Sequence, residues 1–207
     1  MNPWRCARRT AAAVLGLLFL AAAGFHCNDG STGSGDRPKM PWPERPQGAP
    51  AGTELRQQVR LDGRYVKEVR LRPGQARGVG PGEDLMLEFL AVGLQQVKQF
   101  EFVLQVEPAE AFDLARSSFV PEKPFTTFGS GIEVVEEGRL RIAGALFSKQ
   151  ETVRGDQTLG TLKLKTGPTY SAAVHPRVRV TFFSIGPTST DRESYADQEL
   201  KLGATFE

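Results

Sequence analysis

The chain has few residues of the kinds that hold metals or carry out nucleophilic catalysis. Its 207 residues include 2 cysteines and 2 histidines. Both cysteines, Cys6 and Cys27, belong to the N-terminal segment, and His175 is the one histidine beyond it. A lone histidine beside Pro176 supplies neither a zinc cluster nor a catalytic pair. The sequence therefore predicts no metal site, no cofactor and no internal disulfide.

Catalytic motifs are also lacking. The segment Gly129-Ser130-Gly131 does not have the Gly-x-Ser-x-Gly spacing of a hydrolase nucleophile. The adjacent Glu136 and Glu137 could suggest paired carboxylates for glycoside hydrolysis, but neighbours on a strand point to opposite faces. No catalytic residue is predicted, and we expect a protein that is not an enzyme.

A strong charge of one sign is missing as well. The chain has 26 basic and 24 acidic residues, a formal net charge of +2. Three of the basic residues, Arg5, Arg8 and Arg9, lie close to the N-terminus, so the remainder is nearly neutral. No basic patch with interleaved aromatic residues is present, and nucleic-acid binding is not predicted.

The N-terminal residues 1–27 have the pattern of an export signal peptide. The three arginines precede an apolar run over 11–23, which is shorter than the roughly 20 residues that a membrane-spanning helix needs. Cys27 follows this run and resembles the lipidation site of bacterial lipoproteins; the alternative is a cysteine that merely lies near a cleavage site. We expect an exported protein of the cell envelope, either secreted or attached to the membrane through a lipid at Cys27.

Two further regions follow the signal. Residues 28–52 are rich in glycine, serine and proline, a composition typical of a flexible, disordered stalk or linker. Residues 53–207 form the predicted ordered domain, which is long enough for one hydrophobic core without disulfides. We expect this domain to be monomeric.

The ordered region alternates apolar and polar residues with the period of a β-strand. In the segment from Val97 to Pro108, every second side chain is large and apolar, which places these side chains on one face. Similar patterns occur in 138–146 and 159–166, and in 177–183 they place Val178, Val180 and Phe182 on one face. The residues that define the first pattern are Phe100, Phe102, Leu104 and Val106.

Strand-like segments of this kind recur along the whole domain, and no helix of ordinary length is evident. Glycine and proline turn signals separate them. The sequence thus predicts an all-β fold, a sandwich of about nine strands with jelly-roll-like topology. The predicted strands are 57–61, 65–71, 85–92, 97–107, 132–135, 139–147, 159–166, 177–183 and 199–206. Residues 109–114 are predicted to form one helical turn.

The order of these segments resembles that of the cohesin family, the dockerin-binding modules of cellulosome scaffolds that act in polysaccharide catabolism. The resemblance runs from about Val66 to Phe206. It depends on the segments 72–89, 92–108, 138–142, 160–165, 178–182 and 200–204. Membership of this family would imply a non-catalytic β-sandwich that binds a dockerin-like protein partner through the flat outer face of one sheet.

The same face can be assigned to residues of this chain. By the resemblance, Gln99 and Glu101 match positions that contact dockerin in cohesins. Independently, the alternation places one set of side chains opposite the buried residues of each of two strands, where they would form a plate with a small apolar centre and a charged rim. The plate consists of Gln99, Glu101, Val103, Gln105, Arg139, Arg141, Ala143 and Ala145.

The sequence leaves two alternatives to a protein-binding module: a carbohydrate-binding module and a structural domain of the cell envelope. A carbohydrate-binding module would need a row of exposed aromatic side chains, but the chain has 3 tyrosines and 2 tryptophans, and Trp4 lies in the signal. Tyr170 and Tyr195 fall in loop-like segments. The third possibility is a structural envelope domain without a dedicated ligand. The expected partner is therefore a dockerin-like protein or a glycan.

Overall fold

A computed structural model describes residues 55–206, with the exception of 75–78, 128 and 149. The predicted signal peptide (1–27), Cys27 and the predicted stalk (28–52) lie outside the described residues. So do the first two residues of the predicted domain.

The described residues form an all-β sandwich, as the sequence predicts, with two antiparallel sheets. The strands are β1 Gln58–Arg60, β2 Glu68–Pro73, β3 Asp84–Val97, β4 Gln99–Glu107, β5 Phe112–Pro121, β6 Ile132–Glu136, β7 Arg139–Ala145, β8 Val153–Thr166, β9 Arg177–Gly186, β10 Glu193–Ala196 and β11 Gly203–Thr205. The first sheet has the order β1-β2-β3-β8-β5. The second has the order β10-β9-β4-β7-β6, and β11 also pairs with β9.

The core lies between the two sheets and is rich in phenylalanine. Phe102 on β4 contacts Phe89 of the opposite sheet, with ring centroids 4.8 Å apart, and stacks on Phe183 of β9 at 4.4 Å. All three rings are fully buried. Burial of large aromatic side chains stabilises a sandwich mainly through the apolar area removed from water. This core fixes which face of β4 points outward.

Two of the eleven described strands, β5 and β10, are not among the nine predicted. The expected helical turn over 109–114 is a 3-10 turn, Ala109–Ala111, followed directly by β5. A bulge between Asp113 and Ser118 breaks the period-2 pattern of β5. The Ser117 hydroxyl holds this bulge, since it accepts a hydrogen bond from the Lys165 backbone N–H (2.9 Å) and donates one to the Asp113 carbonyl (2.9 Å).

A second bulge reverses the predicted orientation of Phe182 on β9. The pairing of β4 with β9 shifts between Val103 and Leu104, so that Leu104 faces Val180 and Val103 faces Phe182. Val180 points into the core as predicted, but Phe182 is on the outer face and Phe183 takes the inner position. The prediction for Phe182 was wrong because one additional residue, Thr181, shifts the alternation.

The C-terminal segment also differs from the prediction of a single strand over 199–206. A four-residue helix, α1 (Asp197–Leu200), comes first, and Lys201 ends it in the left-handed conformation with φ 44°. The Glu199 carboxylate accepts a hydrogen bond from the Ala196 backbone N–H (2.9 Å), which satisfies a donor at the start of the helix. The short strand β11 then pairs with β9.

Candidate functional site

All eight residues of the predicted plate lie together on the outer face of the second sheet. Strands β4 and β7 pair without a shift along this stretch, and the eight residues form four directly opposed pairs. Cross-strand partners point to the same face of a sheet. The pairs are Gln99 with Ala145, Glu101 with Ala143, Val103 with Arg141, and Gln105 with Arg139.

Glu101 is the centre of an ion-pair network on the plate. Its carboxylate lies 3.6 Å from Arg141 on β7 and 3.5 Å from Arg192, which precedes β10. Arg141 also pairs with Glu133 on β6, and Arg192 lies within hydrogen-bond distance of the Ser184 hydroxyl (3.4 Å). The network therefore ties strands β6, β7, β4 and β9 together across the outer face.

Val103, expected at the apolar centre of an exposed plate, is fully buried. It points outward, but its cross-strand neighbours are Arg141 on one side and Phe182 on the other. Long arginine stems and aromatic rings cover apolar neighbours in this way. The Thr181 hydroxyl in the adjacent bulge donates a hydrogen bond to the Val103 carbonyl (3.2 Å). At the centre of the plate, the charged side chain of Arg141 and the aromatic ring of Phe182 therefore flank Val103.

A flat strip of small residues runs beside the ion-pair network. Glu101 is opposite Ala143 on one side and Ser184 on the other, and Ser184 is opposite Ser194 on β10. Ala143 and Ala145 are partly exposed. Small side chains would allow a docking surface to approach the backbone of the sheet at Ala143 and Ala145, whereas Ser184 is almost fully buried.

The remaining plate pair, Gln105 with Arg139, is more buried than the alternation predicts. Arg139 is almost inaccessible, and its guanidinium lies 3.3 Å from Glu136. On the other side of Gln105 stands Arg179 of β9, which pairs with Asp197 at 3.3 Å. Burial raises the pKa of Asp197, while Arg179 opposes that shift.

Four residues of this face with charged or aromatic side chains were not predicted from the sequence: Glu133, Arg179, Phe182 and Arg192. Glu133 and Arg179 could have been found, because each occupies an outward position of a predicted strand. Phe182 was assigned to the core because the bulge at Thr181 has no evident sequence signal. Arg192 precedes a strand that was not predicted.

Aromatic residues do not form an exposed row among the described residues of the domain. Tyr170 is buried, and Tyr195 belongs to β10, where its ring stacks on Phe183 at 6.0 Å. Phe147 is the most exposed large apolar residue described, at 67%.

Within the part of the chain that is described, there is no group of three or more histidine, cysteine or acidic side chains that could hold a metal ion. Nor does this part contain a helix long and apolar enough to span a bilayer.

Comparisons with known proteins give matches among solved structures alone. No protein-family model matches the chain, and no curated protein matches it. The chain is similar to the cohesin module of a family 33 glycoside hydrolase from Clostridium perfringens, with 17% identity, a TM-score of 0.42, and coverage of 68% of this chain and 93% of that module. It is similar to the sixth cohesin of scaffoldin B from Acetivibrio cellulolyticus, solved with a dockerin, with 14% identity, a TM-score of 0.39, and coverage of 52% and 79%.

A further match is a type I cohesin–dockerin complex from Clostridium thermocellum, with 10% identity, a TM-score of 0.39, and coverage of 67% of this chain and 91% of that one. All three are cohesin modules, the family that the sequence resembles. At TM-scores below 0.5, these likenesses assign this chain neither family membership nor a function.

Proposed function

We propose that this protein is a non-catalytic, exported binding module that recognises a protein partner through the outer face of its second sheet. A partner of the dockerin type would be consistent with the sequence resemblance. One observation carries the proposal: the eight predicted plate residues form four opposed pairs on a single regular face. On this face, the partly exposed Ala143 and Ala145 lie beside the ion pairs of Glu101.

The physical properties of this face suit recognition of a folded protein. A specific interface needs a preformed surface, because side chains that are already ordered lose little entropy on docking. The ion pairs of Glu101 hold Arg141 and Arg192 in fixed positions before any partner arrives. The adjacent Ala143 strip allows close approach, and the charges around it would select partners of complementary charge.

Capture of the partner tests this function. The full chain carrying an affinity tag is incubated with the exported proteome of the producing organism, and retained proteins are identified by mass spectrometry. Ala143→Arg places a long charged side chain on the strip without touching the core, and it should abolish retention of the specific partner. Thr161→Arg is the matched control, because Thr161 is a partly exposed position of β8 in the other sheet.

The capture experiment distinguishes the outer face of the second sheet from other binding surfaces. A protein retained by the wild type and by Thr161→Arg, but lost with Ala143→Arg, supports the proposed face. Retention by the wild type and by both variants would place the binding surface elsewhere. Retention of polysaccharide in place of protein would favour a carbohydrate-binding module.

We further propose that the chain is exported and attached to the membrane through a lipid at Cys27. This proposal rests on the sequence of residues 1–27 alone. Labelled palmitate should be incorporated into the wild-type protein in cells and lost in Cys27→Ala. Export of an unlabelled wild-type protein would instead favour a secreted form.

A further inference from the structure

One end of the outer face has a buried arginine and a largely buried arginine on either side of a glutamine. Gln105 on β4 is the direct cross-strand neighbour of Arg139 on β7 and of Arg179 on β9. Adjacent strands lie about 4.8 Å apart, and cross-strand neighbours point to the same side. The three side chains therefore form one row across the sheet, with a guanidinium group at each end.

Both guanidinium groups have donors that lack an acceptor. The Arg139 and Arg179 side chains are only 7% and 14% exposed, and each makes one ion pair, Arg139 with Glu136 and Arg179 with Asp197. Among the described residues, Nε and Nη2 of Arg139 and Nε of Arg179 are buried without a hydrogen-bond partner. Buried donors on a charged group are among the most costly to leave unsatisfied. The row thus has three donors that an anion could use.

The charges around the row limit an anion to a single charge, because each arginine is already paired with a carboxylate and Glu107 is opposite Arg177 of β9. Glu136 and Asp197 each compensate one arginine, and Glu107 lies two residues further along β4 on the same face. A phosphate with two charges would be repelled by these carboxylates. A single carboxylate fits better, because its two oxygens match the paired donors of a guanidinium group.

Gln105 stands between the two arginines and would have to move. Its Nε2 atom lies 3.0 Å from the place that a Cβ on Gly138 would take, so the side chain leans across the sheet toward β7. Gln105 is partly exposed, whereas Arg139 is buried. Rotation of this one flexible side chain would expose the row to an incoming group.

We propose that the Arg139–Gln105–Arg179 row receives an aspartate or glutamate carboxylate of the protein that docks on the outer face. This inference rests on the proposed function, because the protein that supplies the carboxylate is the partner proposed there. The anion site itself is a property of this chain. An acidic anchor at this end, next to the Glu101 network, would fix the orientation of the partner on the plate.

Acetate is the probe for the site in the absence of any partner. The full chain is titrated with sodium acetate against sodium chloride at constant ionic strength, and the Nε–H signals of Arg139 and Arg179 are followed by NMR. We expect saturating shifts of these two signals. Gln105→Ala, which removes the cover, should bind acetate several-fold more tightly than the wild type. Arg139→Gln and Arg179→Gln should each weaken binding about tenfold, as expected for loss of a charge-assisted pair.

Arg60→Gln is the matched control, because it removes the same charge from an exposed position of β1 and should leave acetate binding unchanged. Shifts that grow linearly, or that are equal for all arginines, would overturn the anion site. If either arginine variant melts too early to be used, Gln105→Ala alone decides: unchanged or weaker binding contradicts the inference. Because the titration contains no partner, its failure would leave the capture experiment unaffected.

Discussion

Glu101 on β4 and Arg141 on β7 form an ion pair at 3.6 Å on the outer face, with 15% and 23% of their side chains exposed. Arg60 and Asp62 lie at the same distance, 3.6 Å, but are 80% and 68% exposed. The two pairs thus differ in burial, and Glu101 and Arg141 also each have a second ion-pair partner. Coulomb attraction is screened far less where solvent is partly excluded, so the first pair should contribute more to stability.

A double-mutant cycle measures this difference. We expect a coupling energy of at least about 1 kcal/mol between Glu101 and Arg141 when each is replaced by alanine, measured by urea denaturation. The same cycle for Arg60 and Asp62 should give less than about 0.5 kcal/mol. Equal coupling in the two cycles would mean that the charge network on the plate is not preorganised.

The aromatic core should respond strongly to the loss of one ring. Phe102 is fully buried and contacts Phe89 and Phe183. Phe102→Ala should reduce the free energy of unfolding by about 3–5 kcal/mol, because it leaves a cavity between the sheets. Phe147→Ala is the control at an exposed position and should cost less than about 1 kcal/mol. A small cost for Phe102→Ala would contradict the packing described for the core.

Two glycines with similar backbone conformations should tolerate alanine differently. Gly131 has φ 73° and Gly82 has φ 81°. A Cβ on Gly131 would lie 2.3 Å from the Phe119 carbonyl oxygen, whereas nothing lies within 4 Å of a Cβ on Gly82. Gly82→Ala should cost about 1 kcal/mol from backbone strain alone. Gly131→Ala should cost clearly more, and equal melting temperatures of the two variants would contradict the close approach of β5.

The pH dependence of stability should be governed by tyrosines at high pH. Burial raises the pKa of Tyr195, and its hydrogen bond to Glu193 (3.0 Å) raises it further. Burial also raises the pKa of Tyr65 and Tyr170, and in Tyr65 the hydrogen bond to Asp191 adds to this effect. A raised pKa means that the folded state favours the neutral phenol. This contribution is fully present below the unfolded pKa of about 10 and is lost as the pH rises above it.

Denaturation at several pH values checks this prediction. The free energy of unfolding should be insensitive to tyrosine ionisation up to about pH 9 and should fall between about pH 10 and 12. Tyr195→Phe should make that decline less steep. A spectrophotometric titration of the folded wild type in which any tyrosine ionises near pH 10 would contradict the raised pKa values.

The regular part of the fold could be predicted from the sequence, since its alternation is unbroken. Strands β4 and β7 pair without a shift, and their outward residues were correctly assigned to one face. The alternation fails at Thr181 and in the segment from Leu114 to Ser117, where bulges add residues to one strand of a pair. Such bulges depend on the partner strand, which the local sequence does not specify.

The exposure of side chains on the face was harder to predict than their direction. Val103 points outward and is nevertheless buried, because Arg141 and Phe182 flank it across the strands. Arg139 was expected on a charged rim, but it lies almost entirely out of contact with solvent. Strand periodicity predicts the face of the sheet on which a side chain lies. The exposure of that side chain depends on its neighbours in the adjacent strands, and the pairing of those strands is not known from the sequence.

An NMR map of the complex identifies which sheet of this protein the partner contacts. The captured partner is added unlabelled to the isotope-labelled full chain, and the amide signals of both sheets are compared before and after binding. We expect the signals of Glu101, Arg141 and Ala143 on the second sheet to shift or broaden, while those of Thr161 and Lys163 on the first sheet do not. Changes confined to the first sheet would contradict it.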